Sequence, residues 1–138
     1  MLSQTADYAL RAALQLAQQR DGEPLQAAEL ASRLRLPRNY LSKTLHGLAR
    51  AGVLASARGK GGGFRLARPA TRITLAEVIE PFDRLDGPRQ CLLGKLECSD
   101  RQPCPAHRRW QAARQEAVRF YRATTLAELL REEASGDR

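Results

Sequence analysis

A chain of 138 residues is long enough for one ordinary domain, or for a small domain with an appendage. Hydrophobic residues make up 43% of it and charged residues 28%, which is typical of a globular protein and excludes a disordered one. Aromatic residues reach only 5%, so the core must come mainly from Leu and Ala, and this favours helices. Because the sequence shows neither an apolar run of about 18 residues nor a signal-peptide pattern, we expect a cytoplasmic protein with no membrane association.

The positive charge of the chain is concentrated in its first half. The formal net charge is +8, and residues 1–69 alone carry +7, because they hold 11 Lys and Arg against 4 Asp and Glu. A basic half of this kind is expected to bind a polyanion, and nucleic acid is the first candidate. A membrane surface is the weaker alternative, since no Lys- and Arg-rich helix with bulky apolar anchors occurs.

The first half has the element order of a winged helix-turn-helix domain. Apolar residues recur with a helical period in three segments, which predicts helices at 3–19, 25–34 and 38–50. Two short strand candidates follow, at 53–57 and 64–67, on either side of a glycine-rich cationic hairpin tip. We therefore expect a DNA-binding domain that ends at residue 69, with the third helix as the recognition helix and the hairpin as the wing.

Residues 70–138 are predicted to form a second unit. Thr74 is a candidate N-cap for a helix at about 75–82, because Glu77 stands at the capping-box position. An irregular segment at 88–105 follows, and it contains all three cysteines of the chain.

A long helix is predicted at 105–122, where apolar residues form a stripe. Either Thr124 or Thr125 caps a final short helix at about 126–131, and the polar tail beyond it is expected to fray. The predicted fold class is therefore mainly α, with a small β-hairpin wing and a long C-terminal helix.

The predicted helix at 38–50 has the two different faces that a recognition helix needs. One face is apolar and can pack on the domain, while the other is polar and cationic and can enter the major groove. Asn and Arg can contact base edges in pairs of hydrogen bonds, and Lys can bind a base or a phosphate. The alternative interpretation is that this charged side of the helix is an ordinary solvent-exposed surface with no role in DNA binding. The outward-facing candidates are Arg38, Asn39, Ser42, Lys43 and His46.

The predicted hairpin tip suits contact with the DNA backbone. Its glycines, Gly61 and Gly62 among them, let the main chain approach phosphates closely, and Arg58 or Lys60 can reach the minor groove. A phosphate-binding P-loop is excluded because Lys60 is followed by glycine rather than by Ser or Thr.

The three cysteines favour a metal or redox site over disulfides. Cys91, Cys98 and Cys104 are separated by six and five residues, without the CxxC pairs that are typical of structural zinc. Three thiolates on a loop suit an iron–sulfur cluster, and His107, three positions after Cys104, is a candidate fourth ligand. Zinc, reversible thiol oxidation and cysteines without a role stay open as alternatives.

An enzyme is the least favoured class of function. Acid–base chemistry would have to rely on His46 and His107, the two histidines of the chain, and His46 is better placed for DNA. We therefore expect no catalytic residues.

Several segments together resemble the Rrf2 family of bacterial transcription regulators, over nearly the whole chain. The wing and the cysteine triplet make the resemblance specific. The segments that carry it are Asp7-Tyr8-Ala9-Leu10-Arg11, Leu36-Pro37-Arg38-Asn39-Tyr40-Leu41, Arg58-Gly59-Lys60-Gly61-Gly62-Gly63-Phe64, the three cysteines, and Thr124-Thr125-Leu126-Ala127-Glu128-Leu129-Leu130.

The resemblance implies a homodimer that crosses through the helix at 105–122, with each winged domain reading half of a palindromic operator in double-stranded DNA. It also implies DNA contacts at positions that match Asn39, Tyr40, Lys43 and Arg58. Because the chain shows no recruitment segment, repression is the expected mode of regulation.

For the cysteines, the resemblance implies a [2Fe-2S] cluster in preference to a [4Fe-4S] cluster, which senses redox state, nitric oxide or iron–sulfur status. In one branch of the family, a histidine placed like His107 is the fourth ligand. In another, an aspartate placed like Asp7 comes from the second subunit. Both residues are therefore candidate ligands.

Overall fold

The computed structural model describes residues 2–85, 101 and 105–136. In these ranges the chain is mainly helical and has one antiparallel hairpin, as the sequence predicted. The elements are α1 (Gln4–Ala17), α2 (Ala27–Leu34), α3 (Arg38–Arg50), β1 (Leu54–Ala57), β2 (Gly63–Leu66), α4 (Leu75–Ile79), α5 (His107–Ala123) and α6 (Leu126–Gly136).

Helix α1 lies at the centre of the fold and packs against α2, α3, α4 and α6. Its buried face is built mainly from alanine, so neighbouring helices can approach it closely. Ser3 caps the helix by accepting a hydrogen bond from the backbone N–H of Ala6 at 3.1 Å. The buried residues of this face are Ala6, Ala9, Ala12, Ala13 and Leu16.

A tight turn connects α2 to α3 and sets the angle of the helix-turn-helix. Arg35, at the end of α2, has a left-handed backbone with φ of 56°, and the N–H of Leu36 donates to the carbonyl of Ala31 at 2.9 Å. Pro37 is the N-cap residue of α3. No hydrogen bond of the helix is lost through its missing N–H at this position. The hydrogen bond of Leu36 and the proline at the N-cap together place the start of α3 directly after the turn.

Strand β2 pairs with β1 on one edge and with Leu25, two residues before α2, on the other. Leu54 pairs with Leu66, and Ala57 pairs with Gly63. Leu25 and Phe64 exchange both backbone hydrogen bonds, at 2.9 and 2.8 Å. Strand β2 is therefore hydrogen-bonded on both edges close to the tip, and this orients the tip relative to α3.

Helix α4 begins as predicted but ends early. Thr74 and Glu77 form the predicted capping box. The helix stops at Ile79 rather than at about residue 82, because Pro81 has no N–H to continue the helical hydrogen bonds.

Helix α5 starts and ends within two residues of the predicted bounds, and α6 is longer than predicted. The final helix continues to Gly136 rather than ending near Arg131. Thr125, and not Thr124, provides its cap, since the hydroxyl of Thr125 accepts from the N–H of Glu128 at 3.2 Å.

The hydrophobic core is continuous across residue 69. Ile73, Val78 and Leu126 are fully buried together with residues of α1 and α3. A functional division of the chain into residues 1–69 and 70–138 therefore stays a prediction. In the ranges that the structure describes, no helix is both long enough and apolar enough to span a bilayer.

Candidate nucleic-acid interface and cluster ligands

Helix α3 presents one apolar face and one polar face, as the sequence predicted. Leu41, Leu45 and Leu48 are fully buried against the rest of the domain. The opposite side carries exposed Arg38, Asn39, Lys43 and His46, with Ser42 half-buried beside them. Neither Arg38 nor Lys43 forms an ion pair with the other residues that the structure describes, so both cations are available to a phosphate or a base.

Thr44 lies on the buried side of α3, and it was not among the core residues expected for this helix. It is 2% exposed, and its hydroxyl donates to the carbonyl oxygen of Tyr40 at 3.1 Å. This bond within the helix satisfies the buried hydroxyl, so Thr44 packs in the core without a polar penalty.

Tyr40 lies at the start of α3 and is 39% exposed, but its side chain is held by α1. Its hydroxyl is hydrogen-bonded to the Thr5 hydroxyl. Its ring meets the ring of Tyr8 edge to face, with centroids 5.4 Å apart. The position of the Tyr40 side chain is therefore determined by α1, and its contact with DNA stays a prediction.

His46 connects the recognition helix to the wing. Its imidazole contacts the ring of Phe64 edge to face, with centroids 5.3 Å apart and an interplanar angle of 78°. Phe64 is 7% exposed and belongs to β2. The polar face of α3 and the hairpin are therefore parts of one surface.

The tip of the hairpin is cationic and tightly turned. Arg58, Lys60 and Gly61 are exposed, whereas Gly62 is buried. The N–H of Gly62 donates to the carbonyl of Gly59 at 3.0 Å, and a Cβ atom on Gly62 would lie 2.3 Å from the carbonyl oxygen of Ala57. Gly62 is thus required by the turn itself, and its contact with DNA stays a prediction.

The candidate cluster ligands fall partly outside the described residues. Cys91, Cys98 and Cys104 all lie outside them. His107 is the first residue of α5 and is half-buried. Asp7 lies on α1 and forms an ion pair with Arg11 at 3.2 Å, with both side chains about half exposed.

The family of the chain can be assigned from its sequence as a whole. A family model named Rrf2, described as an iron-dependent transcriptional regulator, matches residues 2–132. The chain belongs to the Rrf2 family.

Relatives and solved structures agree with this assignment. The HTH-type transcriptional regulator IscR of Photobacterium profundum is 31% identical over 131 residues, which are 95% of this chain and 76% of that protein. The structure of T. potens IscR has a TM-score of 0.77 at 24% identity and covers 100% of this chain and 91% of that one. CymR, the global cysteine regulator of B. subtilis, has a TM-score of 0.74 at 25% identity, covering 94% of this chain and 95% of that one.

These findings confirm the predicted family and the winged-helix fold. The Rrf2 relatives are transcriptional regulators, and regulation of transcription implies that this Rrf2 chain binds DNA. The individual residues that contact DNA or hold a cofactor stay predictions.

Tyr121 of this Rrf2 chain was not singled out as a functional residue by the sequence. It lies on α5, where burial raises the pKa of its hydroxyl above the ordinary value for tyrosine and the negative charge of Asp83 raises it further. The carboxylate of Asp83 also accepts a hydrogen bond from the N–H of Ser3 at 2.7 Å. Asp83 thus lies between the start of α1 and the side chain of Tyr121.

Proposed function

We propose that this Rrf2 chain is a homodimeric repressor whose affinity for a palindromic DNA operator is controlled by an iron–sulfur cluster. The observation that carries the DNA-binding part is the contact of His46 with Phe64, which joins the exposed polar face of α3 to the cationic hairpin. A helix in the major groove and a hairpin on the adjacent backbone would then bind together.

The proposed DNA contacts divide into two groups. Residues of α3 read bases and hold phosphates in the major groove, and residues of the hairpin tip contact the backbone and the minor groove. The first group is Arg38, Asn39, Tyr40, Ser42, Lys43 and His46, and the second is Arg58, Lys60, Gly61 and Gly62.

Helix α5 supports the proposed dimer. It has 17 residues, which corresponds to about 25 Å, and none of them is buried. Phe120 is 48% exposed, although the helix packs against α4 on one side. A second copy of α5 would cover the exposed ring of Phe120. The dimer would then place its two copies of α3 on half-sites about one DNA turn apart.

The donor set of the chain fits an iron–sulfur cluster. Thiolates are the usual ligands of these clusters, and imidazole replaces some of them in known sites. Cys91, Cys98 and Cys104 would hold the cluster, with the half-buried His107 as fourth ligand or Asp7 of the partner subunit in its place. The family description as an iron-dependent regulator supports this assignment, and we favour a [2Fe-2S] over a [4Fe-4S] cluster.

The bound cluster would supply a centre that responds to oxidation, nitric oxide or cluster loss. His107 is the first residue of α5. A change in its ligation would therefore act on the helix that, in the dimer, sets the distance between the two copies of α3. Binding of two half-sites tolerates little change in that distance, and a small shift therefore lowers operator affinity.

The first experiment is to purify the protein without oxygen, record its UV–visible spectrum and count iron, acid-labile sulfide and zinc per chain. We expect a brown protein that contains iron and sulfide and loses both in Cys98→Ala. His107→Ala and Asp7→Ala then identify the fourth ligand. A protein that stays colourless after cluster reconstitution, or contains only zinc, would contradict the cluster assignment and leave DNA binding unaffected.

The link between cluster and DNA is tested by the operator affinity of the holo and apo proteins. Cluster state is expected to change that affinity, and operator DNA must in turn change cluster stability by the same factor. Lys60→Ala serves as the DNA-binding control, since loss of one phosphate contact lowers the salt slope by about one in both forms. Equal operator affinities with and without the cluster would overturn the sensor proposal.

A further inference from the structure

Two side chains on the first two turns of α1 contact Tyr40, and a third holds one of them. Thr5 and Tyr8 are three residues apart on one face of this helix, and Gln4 lies four residues before Tyr8. The Nε2 atom of Gln4 donates to the hydroxyl of Tyr8 at 2.9 Å, which fixes that ring. Tyr8 then contacts the ring of Tyr40, and Thr5 binds its hydroxyl. The recognition helix is therefore connected to α1 through an exposed polar contact as well as through the core.

The start of α1 is itself fixed. Its cap Ser3 binds the N–H of Ala6 through the side chain, and the N–H of Ser3 donates to Asp83 at 2.7 Å. Because Thr5 lies two residues after this cap, its hydroxyl is held by a helix end that has little freedom.

The two bonded hydroxyls keep hydrogen-bonding capacity for a ligand. Thr5 and Tyr40 together have two O–H groups, and only one of them is used between them. The other can donate outward, and phosphate oxygens are the acceptors that DNA offers at the edge of a groove. Without Thr5, the tyrosine side chain would have to be ordered when DNA binds, at a cost in conformational entropy.

We propose that Thr5 is a positioning residue for DNA binding, which acts by holding the Tyr40 hydroxyl in place to donate to a DNA phosphate. This inference rests on the proposed DNA contact of Tyr40. The first turn of α1 would then contribute to DNA affinity. It would not contribute to sequence preference, because the contact is with a phosphate and not with a base. The contact is uncharged, so it releases no counterions and adds nothing to the salt slope.

The test compares Thr5→Val, Thr5→Ser, Tyr40→Phe and the Thr5→Val/Tyr40→Phe double variant of the full chain. The probes are a duplex of about 30 base pairs selected from a random pool by the wild-type protein, and a mixed-sequence duplex of the same length. The dissociation constant is measured as a function of salt, and thermal unfolding checks each variant. Ser32→Ala, which removes an exposed hydroxyl on α2, is the matched control.

We expect Thr5→Val to raise the dissociation constant about fivefold on both duplexes with an unchanged salt slope, which corresponds to one lost neutral hydrogen bond. Thr5→Ser should restore the wild-type value, and Thr5→Val should have no further effect in the Tyr40→Phe background. The inference is overturned if Thr5→Val binds like Ser32→Ala, or if its effect is the same with and without the Tyr40 hydroxyl.

Two further results separate this inference from the proposed function. If Lys43→Ala and Lys60→Ala weaken binding but Thr5→Val does not, the inference fails and the DNA interface stands. If none of these substitutions changes binding, the proposed DNA interface fails as well. Should Thr5→Val unfold, Thr5→Ala provides the same removal of the hydroxyl with a smaller side chain.

Discussion

Thr74 and Thr125 pair with each other across an antiparallel bridge, and each caps the helix that follows it. The N–H of Leu75 donates to the carbonyl of Thr124 at 2.9 Å, and the N–H of Leu126 donates to the carbonyl of Ile73 at 3.0 Å. The bridge thus fixes the starts of α4 and α6 side by side. It joins the end of the chain to the core around α1, on which the recognition helix also packs.

Thr125→Ala tests the cap at the start of α6. The substitution removes the hydroxyl that accepts from the N–H of Glu128, so the free energy of unfolding should fall by about 1 kcal/mol in chemical denaturation. Thr124→Ala is the matched control, because the neighbouring threonine takes part through its backbone carbonyl and should cost less than about 0.5 kcal/mol. Equal losses in the two variants would contradict a specific capping role for Thr125.

Local signals explain which elements the sequence could predict. The capping box of Thr74 and Glu77 and the apolar spacing of α3 depend on residues within a few positions of each other, and both were predicted correctly. The early end of α4 was missed although Pro81 is a local signal. The extension of α6 to Gly136 was missed because its last residues are polar and carry no apolar period.

The exposure of the candidate DNA-binding residues was predictable from the sequence, but the contacts between α3 and the rest of the protein were not. The outward positions of Arg38, Asn39, Lys43 and His46 follow from helical spacing alone, and the structure exposes all four. The contact of Thr5 with Tyr40 joins residues 35 positions apart, and no local pattern contains it. Such contacts arise only when the packing of α1 against α3 is known.

Gly63→Ala should destabilise the fold far more than an exposed glycine of the same hairpin. At Gly63 the backbone has φ of 135°, and a Cβ atom would lie 2.4 Å from the carbonyl oxygen of Leu25. The new methyl group would disrupt the hydrogen bonds between Phe64 and Leu25, at a cost of about 3 kcal/mol or more.

Gly61→Ala is the matched control for this substitution. Its backbone is also left-handed, with φ of 79°, but nothing lies within 4 Å of the new Cβ atom. It should therefore cost only the conformational strain, about 1 kcal/mol, in the same denaturation experiment. If the two variants lose equal stability, close packing at Gly63 is not the reason for glycine there.

Asn39→Ala should relax the base preference at one operator position. Asn39 is exposed on the polar face of α3, and an amide that binds a base edge through two hydrogen bonds discriminates by about 1–3 kcal/mol. Selection of binding sites from a random DNA pool, followed by sequencing, measures the preference at each position. Lys60→Ala is the control, because a phosphate contact weakens binding to all sequences equally. An unchanged preference in Asn39→Ala would remove Asn39 from the readout.

Tyr121 should make the stability of the protein fall at high pH. Burial, and then the charge of Asp83, raise the pKa of its hydroxyl above the ordinary value for tyrosine, so the folded state holds this proton more tightly than the unfolded state does. The resulting stabilisation is complete below about pH 10 and is lost as the pH rises through the folded pKa. Tyr121→Phe cannot titrate, so its free energy of unfolding should fall less between about pH 9 and pH 11 than that of the wild type.

Asp83→Asn separates the two causes of this shift. Removing the carboxylate charge should lower the pKa of Tyr121 towards its ordinary value without abolishing the shift, because burial is the larger cause. Titration of phenolate absorbance, with Tyr121→Phe subtracted, measures that pKa directly. If Tyr121→Phe loses stability with pH as steeply as the wild type does, the environment between α5 and Asp83 does not hold the proton, and the assigned effect of burial is wrong.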